Sequence, residues 1–343
     1  SKVEQEINTD AMEAYDATYT GFSEKSWTFV NKTKSDILQA SEGKELQEYT
    51  DRIFQGIVTG KDSVFVADVV EEKENSYIVD SDELDQEVEL EKEICKPLIK
   101  GSEFKKWWMD KTDKVVLYPY NIYEEDGERE ADLIEREELQ EKYLQAWSYL
   151  KANEELLKSR ENGKWKEKDQ WHAFSRRQNI EQFNQEKAMV PVLSNRSKLS
   201  YDDGDDYVFV GGGTAGGYGI SQKDSTSISY EYLVSVMNSR LLEWIVQKTS
   251  SKFRGGSYAY GKQYIEDLPI ATGEQTDVIE ELTEDIISLV QESREGNEDE
   301  ITALENLIDF LVYEMYFDEK FDDSLLETVE EAISDISDPD EKA

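Results

Sequence analysis

The spacing of apolar residues changes character once along this chain of 343 residues, and that change excludes most fold classes. Up to about residue 270, β-branched and aromatic residues come in short runs separated by turn chemistry. From Thr276 onward, apolar residues recur only at helical spacing. A doubly wound fold alternates strands and helices throughout, whereas strands followed by helices predict an α+β chain.

Arg52 to Val70, "RIFQGIVTGKDSVFVADVV", holds two strand-like runs flanking a Thr-Gly-Lys-Asp turn. "NSYIVD" and "DKVVLYPYN" read as further strands, the second stopped by Pro119, and Pro97 and Gly101 limit any helix in "EICKPLIKGSEFKKWW". Asp132 to Arg160 places Leu133, Leu139, Tyr143, Ala146, Trp147 and Leu150 at helical spacing, which predicts one long helix ending near Asn162-Gly163. "KAMVPVLS" and "DDYVFVGG" read as strands, Ser227 or Ser229 as the cap of a helix reaching Thr249, and "SYAYGKQYI" as an aromatic strand. Helical stripes follow at Val278, Leu282, Ile286 and Leu289, at Ile301, Leu304, Ile308, Leu311 and Met315, and at Leu325, Val329 and Ile333; Lys34 to Tyr49 is also amphipathic.

The fold class expected is α+β: a mixed sheet with peripheral helices, followed by a C-terminal helical bundle. Residues 1–50 form a helical connector. Residues 51–270 form the sheet domain, divided into a first half (51–128), the long helix (129–165) and a second half (166–270). Residues 271–334 form the helical subdomain and 335–343 a disordered tail.

Charge narrows the partners. The chain carries 78 Asp and Glu against 38 Lys and Arg, a net −40, yet 7 Trp, 19 Tyr and 12 Phe make it globular rather than an acidic disordered tail. Acids occur in nearly every segment instead of in phosphate-like rows, which reads as halophilic adaptation rather than DNA mimicry. Two islands run against this balance. Residues 142–198 hold 12 Lys and Arg against 7 Asp and Glu, and residues 239–262 hold 5 against 1. They either neutralise acidic neighbours or form a polyanion-binding surface. No run of 18 apolar residues occurs, so no membrane partner is expected; the single Cys95 excludes a disulfide framework and suggests a reducing, cytoplasmic setting.

Catalytic chemistry is sparse. Gly211, Gly213 and Gly216 in "YVFVGGGTAGGYG" satisfy G-x-G-x-x-G, but no helix opens directly after them to receive a pyrophosphate. The glycines are expected to admit a backbone at close range instead. His172 is the sole histidine, beside Trp171, and reads as a surface or partly buried side chain; one histidine cannot build a His-ligated metal site. The phosphate-loop motif G-x-x-x-x-G-K-[ST] is missing. No catalytic, cofactor-binding or metal-binding residue is expected.

"LVSVMNSRLLEWIVQKTSSKFRGGSYAYGKQYIEDLPI", Leu233 to Ile270, closely resembles the TaqI-like C-terminal specificity (target recognition) domain of adenine-specific DNA methyltransferases, especially type IIG restriction-modification enzymes. "RIFQGIVTGKDSVFV" looks like that family's first strand pair, and "WHAFSRRQNIEQFNQEKAMVP" and "LIDFLVYEMYFDE" resemble later pieces. The resemblance implies a target recognition domain over 51–270 that binds double-stranded DNA. Its partner is the catalytic methyltransferase domain of the same polypeptide, where S-adenosylmethionine is expected. No Asn-Pro-Pro-Tyr or Asp-Pro-Pro-Tyr motif occurs and the chain opens on Ser1, so it is expected to be the non-catalytic piece of an adenine-specific DNA methyltransferase, with or without endonuclease activity.

The DNA-binding candidates are Lys248, Ser251, Lys252, Arg254, Gly255, Gly256 and Lys262, then Arg176, Arg177 and Gln178, then Thr59 and Lys61. Arg254 is suited to the bidentate contact with guanine. Phe253, Tyr258, Tyr260, Tyr264 and Ile265 read as core side chains rather than base-stacking ones. The competing reading is a protein-interaction module of a halophilic enzyme with no direct DNA contact.

Overall fold

A computed structural model describes residues 37–38, 41, 43–204 and 207–317. The third helical stripe, the tail and most of the N-terminal connector therefore lie outside the described residues. Of the amphipathic helix expected over 34–49, the described part is helical at 37–38 and then holds strand β1 (Lys44–Glu45) and a single turn, α1 (Leu46–Tyr49). Then come β2 (Thr50–Gln55), the turn α2 (Asp62–Phe65), β3 (Val66–Glu72), β4 (Ser76–Ser81), β5 (Gln86–Glu91), β6 (Cys95–Ile99), β7 (Trp107–Trp108), β8 (Lys114–Leu117), β9 (Tyr120–Glu125) and β10 (Glu128–Leu133).

Three short helices follow, α3 (Arg136–Lys142), α4 (Leu144–Ala152) and α5 (Glu154–Lys158), and then a turn, α6 (Arg160–Gly163), in which Glu161 (φ 50°) and Asn162 (φ 61°) are left-handed. The single long helix expected over this stretch is thus corrected twice. Its first residues belong to the β9–β10 hairpin, because Asp126 (φ 53°) and Gly127 (φ 83°) form a two-residue left-handed turn. Tyr143 (φ −125°, ψ 57°) and Asn153 (φ −98°, ψ 8°) then break the helix, and the Glu91 carboxylate accepts from the Gln145 and Ala146 amides (2.8 and 3.0 Å) where α4 begins.

The second half contributes β11 (Lys187–Pro191), β12 (Leu193–Ser194), β13 (Ser200–Asp202), β14 (Val208–Phe209), β15 (Gly217–Gln222), α7 (Tyr230–Asn238), α8 (Arg240–Thr249), β16 (Tyr258–Ala259), α9 (Lys262–Ile265) and β17 (Pro269–Ile270). Ser229 caps α7, and Ser239 splits the expected helix by accepting from the Leu242 amide to start α8, which does end at Thr249. Lys262–Ile265 is a helical turn, not the continuation of an aromatic strand. The long helices α10 (Thr276–Ser293) and α11 (Glu298–Phe317) close the described chain. The chain is α+β with mixed sheets and C-terminal helices.

Two sheets organise these elements. A six-stranded sheet runs β14-β6-β8-β3-β4-β5 and a five-stranded one β2-β15-β11-β13-β7, with parallel pairs only at β14–β6 and β13–β7. The runs in 52–70 are strands, but β2 and β3 enter different sheets and do not form the expected pair. The five-stranded sheet is a wall between two cores. Ile53, Ala188, Val190 and Ile220 face the helices α7, α8, α10 and α11, while Phe54 and Met189 face the six-stranded sheet. Opposite Phe54 stands Gly219, where an added Cβ would lie 2.3 Å from the Phe54 ring. Phe54 packs edge-on against Phe183 (5.4 Å) and stacks on Phe209 (6.0 Å) in that space.

On the helical side, the buried Asp309 of α11 accepts from the Arg240 amide at the start of α8 (2.8 Å), and burial pushes its carboxyl up to about 6. The Arg294 guanidinium, at the residue that follows α10, donates to the carbonyl oxygens of Lys106 (3.1 Å) and Trp108 (2.7 Å), pinning β7.

Candidate nucleic-acid interface

Strand register decides what the loops can share. In the five-stranded sheet Gln55 pairs with Tyr218 and Pro191 with Gly217, so one end gathers the close of β2, the start of β15 and the close of β11. Three loops leave from that end: 56–61, 211–216 and the segment after Pro191. Backbone hydrogen bonds join them laterally. The Arg176 amide donates to the Val58 carbonyl (3.2 Å), the Gly211 amide to Ile57 (2.6 Å), the Val192 amide to Gly216 (2.9 Å) and the Tyr260 amide to Val192 (2.9 Å). Pairing of β12 with β16 brings in the hairpin around 251–258. Three candidate sets that were separate in sequence therefore stand along one edge.

The glycine loop sits in the middle. An added Cβ on Gly211 would lie 2.1 Å from the Gly56 carbonyl oxygen, and one on Gly56 would lie 2.2 Å from that of Phe209. Two backbones touch here, and only glycine leaves room. The loop opens into β15, with α7 beginning only at Tyr230. It accordingly lacks the helix N-terminus a dinucleotide loop requires.

The candidates differ in what they can reach. Arg176, Arg177 and Gln178 are exposed, and Arg177 is held by the Gln170 side chain. Lys252, Arg254, Gly255 and Gly256 are exposed on a hairpin closed by the Phe253 amide donating to Ser257 (2.7 Å). Lys252 lies over the Tyr258 ring at 5.6 Å, and Arg254 makes no ion pair among the described residues. Ser251 and Tyr264 share a hydrogen bond (2.7 Å) that braces the hairpin base. Lys248 stands over the Trp244 ring at 5.7 Å, and Lys262 is 4.0 Å from Glu266 on its own helical turn.

One candidate side chain is corrected. Thr59 is fully buried; its hydroxyl meets Asp62 and accepts from the Lys61 amide (3.1 Å), so the side chain shapes the loop and cannot touch a ligand. Lys61 is already engaged by Glu83 at 2.9 Å. Phe253 is corrected in the other direction, being 44% exposed while Tyr260 and Ile265 are core as expected.

Part of the basic island is structural. Arg160 is buried and donates to the carbonyls of Leu157, Thr59, Trp171 and Ala173, tying the 56–61 loop to the segment that leads into Arg176 and Arg177. Arg196 meets the buried Glu243 at 2.6 Å, and Lys187 pairs with Asp202 with both side chains fully enclosed. His172 is buried rather than at the surface. It packs edge-on against Trp171 (5.6 Å), its Nε2 stands 3.0 Å from the Ile134 carbonyl, and burial lowers its pKa.

What residue-by-residue reading missed is a pattern of omission. The windows 52–61, 170–180, 187–201, 207–223 and 244–265 contain no Asp or Glu, in a chain where 78 of 343 residues are acidic. These windows include the strand ends, loops and hairpin of this edge, although two of them also run on to Lys187 and Gln222 at the far end of the sheet, and Asp62, Glu83 and Glu266 border the edge. The signal was present as gaps between acids, but its meaning needed the strand register.

Residues 128–270 match the TaqI-like C-terminal specificity domain. This specificity-domain segment runs from β10 to β17 and contains Arg176, Arg177, the glycine loop and the 251–258 hairpin; Thr59 and Lys61 precede it. Over 290 residues, 80% of the chain, the sequence is also 26% identical to the type II restriction enzyme and methyltransferase RM.Eco57I of Escherichia coli. The chain spans 28% of that enzyme's length. Among the described residues no helix is long and apolar enough to cross a membrane, and no group of three or more His, Cys, Asp and Glu forms a metal-holding cluster.

Proposed function

We propose that this chain is the DNA sequence-recognition part of a restriction-modification enzyme that methylates adenine at N6. It positions target DNA for a methyltransferase domain outside these residues, and that domain binds S-adenosylmethionine. The observation that carries the reading is the acid-free edge, four of whose five windows lie within the segment that matches the specificity domain. A carboxylate facing a phosphate costs binding energy, so a polyanion-binding face in a very acidic protein must be cleared of them. Arg176, Arg177, Lys252 and Arg254 on that edge supply the phosphate contacts that set register and the base-edge contacts that discriminate.

The remaining acidity is the surface of a salt-adapted, cytoplasmic protein, and it does not oppose DNA binding. At molar salt the Debye length is about 3 Å, so distant carboxylates are screened while contact-range cations still act. Counterion release contributes little under those conditions, which leaves specificity to hydrogen bonds and shape. Fluorescence anisotropy with a random duplex library at high salt tests the reading. Sequence-selective binding that persists from roughly 0.1 to 2 M salt is expected for the folded chain. No duplex binding at any salt at which the chain is folded overturns the reading.

A further inference from the structure

The 251–258 hairpin carries a feature that phosphate contact alone does not call for. Phe253 is 44% exposed, between the exposed Lys252 and Arg254, and Arg254 leads into the tip glycines. Gly255 (φ +87°) and Gly256 (φ +81°) have nothing within 4 Å of an added Cβ, so the tip stands clear of the rest of the molecule. The base is rigid by contrast. Lys252 bridges to Tyr258, the Ala259 amide donates to Ser251 (3.1 Å), the Ser251 and Tyr264 hydroxyls meet at 2.7 Å, and Leu193 and Ser194 pair with Ala259 and Tyr258.

Burying Phe253 in the protein would have satisfied its ring, as it does for Tyr260, two residues beyond the bridging Tyr258. Tyr123 (40%) and Phe310 (43%) are exposed to a similar degree, but Phe253 is the exposed aromatic carried on this hairpin, and no Asp or Glu occurs anywhere in 244–265 to repel a phosphate backbone. A projecting aromatic with a cation on either side, on a braced support, is the arrangement that inserts between base pairs. The cations hold the two backbones while the ring replaces the stacking it interrupts.

We propose that Phe253 is a DNA wedge: on duplex binding its ring enters the base stack and unstacks one step, with Lys252 and Arg254 gripping the flanking phosphates. The proposal rests on the DNA-recognition reading above and goes beyond it, since reading base edges needs no insertion. A wedge costs unstacking energy, and that cost is smaller where the stack is already weakened. The ring therefore makes the protein favour a duplex with a central mismatch over the matched duplex, whatever sequence the other loops read.

The test uses the whole chain in the salt at which it is folded, with short fluorescein-labelled duplexes, matched or carrying a central mismatch, and with 2-aminopurine at the mismatch. The unmodified chain is expected to bind the mismatched duplex on the order of tenfold more tightly and to raise 2-aminopurine fluorescence. Phe253→Ala is expected to erase both effects while binding matched duplex within about threefold of the unmodified chain, which also shows that the variant is folded. Phe253→Trp is expected to retain both. A preference that survives in Phe253→Ala, or an unmodified chain that binds matched and mismatched duplexes equally, overturns the wedge and leaves the DNA-recognition reading standing. Failure of the unmodified chain to bind either duplex overturns both.

Discussion

The two ends of the five-stranded sheet are built from the same three strands and have opposite electrostatics. One end gathers Gln55, Gly217 and Pro191 with loops from which acids are missing. The other gathers Thr50, Gln222 and Lys187, and around it stand the exposed Asp51, Glu186, Asp203 and Asp224. There the half-buried Glu231 carboxyl is pushed up, first by burial and then by Glu280, Glu284 and Glu186. Tyr201 is likewise pushed up by burial and by Glu231, Glu186 and Asp203. The acidic end solves its charge problem internally, by enclosing Lys187 against Asp202, with Lys187 also donating to the Phe183 carbonyl (2.9 Å) and Asp202 accepting from the Gly204 amide (3.1 Å). The acid-free end leaves its arginines in solvent. A surface kept acidic by default and cleared at one end is the contrast on which the DNA-binding proposal rests.

The largest effect expected is at the acidic end. Lys187→Met strands the enclosed Asp202 carboxylate without its cation, and chemical denaturation should show a loss of about 3–5 kcal/mol. A loss below about 1 kcal/mol would mean that solvent reaches the pair.

Charge reversal separates the ends by function. Replacing Arg176, Arg177 and Arg254 with Glu is expected to weaken duplex binding on the order of a hundredfold or more. Replacing Asp203 and Asp224 with Lys should change it about twofold or less. Equal effects from the two sets, measured by anisotropy, would dissolve the distinction. Between these extremes lies the backbone contact under the glycine loop. Gly211→Ala drives a methyl into the Gly56 carbonyl and should cost about 1–3 kcal/mol of stability, whereas Gly213→Ala, with nothing within 4 Å, is strained only by its φ of +63°.

The smallest effect concerns pH. Because the folded-state pKa of Glu231 is raised, its contribution favours folding below the unfolded-state value and is lost as pH rises through the folded-state value. Glu231→Gln should therefore be more stable than the unmodified chain at neutral pH by a few tenths of a kcal/mol at low salt. The difference should vanish below about pH 4 and shrink, without vanishing, at molar salt, because salt screens the neighbouring carboxylates but not the burial that is the first cause. Glu72, at an edge of the six-stranded sheet, has the opposite sign. Hydrogen bonds from Lys111 and Lys92 hold its carboxyl at about 2, so its stabilisation is present above the ordinary carboxylate range and fades as pH falls toward that value. Melting curves against pH for Glu72→Gln and Glu231→Gln should diverge in opposite directions.

Local pattern determined a good deal here by itself. The α+β class, the strands at 52–55, 76–81, 114–117 and 187–191, the Ser229 cap and the stop at Thr249 all follow from turn chemistry and apolar spacing, which act over a few residues. The resemblance of 233–270 to a specificity domain needed only local residue order. Tertiary structure alone decided that β2 and β3 part company, because pairing partners are chosen by burial on both faces of a sheet and not by proximity in the chain. It alone decided that Glu91 breaks the expected long helix, that Thr59 is enclosed and that Phe253 is not. It also gave the acid-free windows their meaning, since five separate gaps in a charge pattern become one surface only when hydrogen-bonded register brings their ends to the same edge.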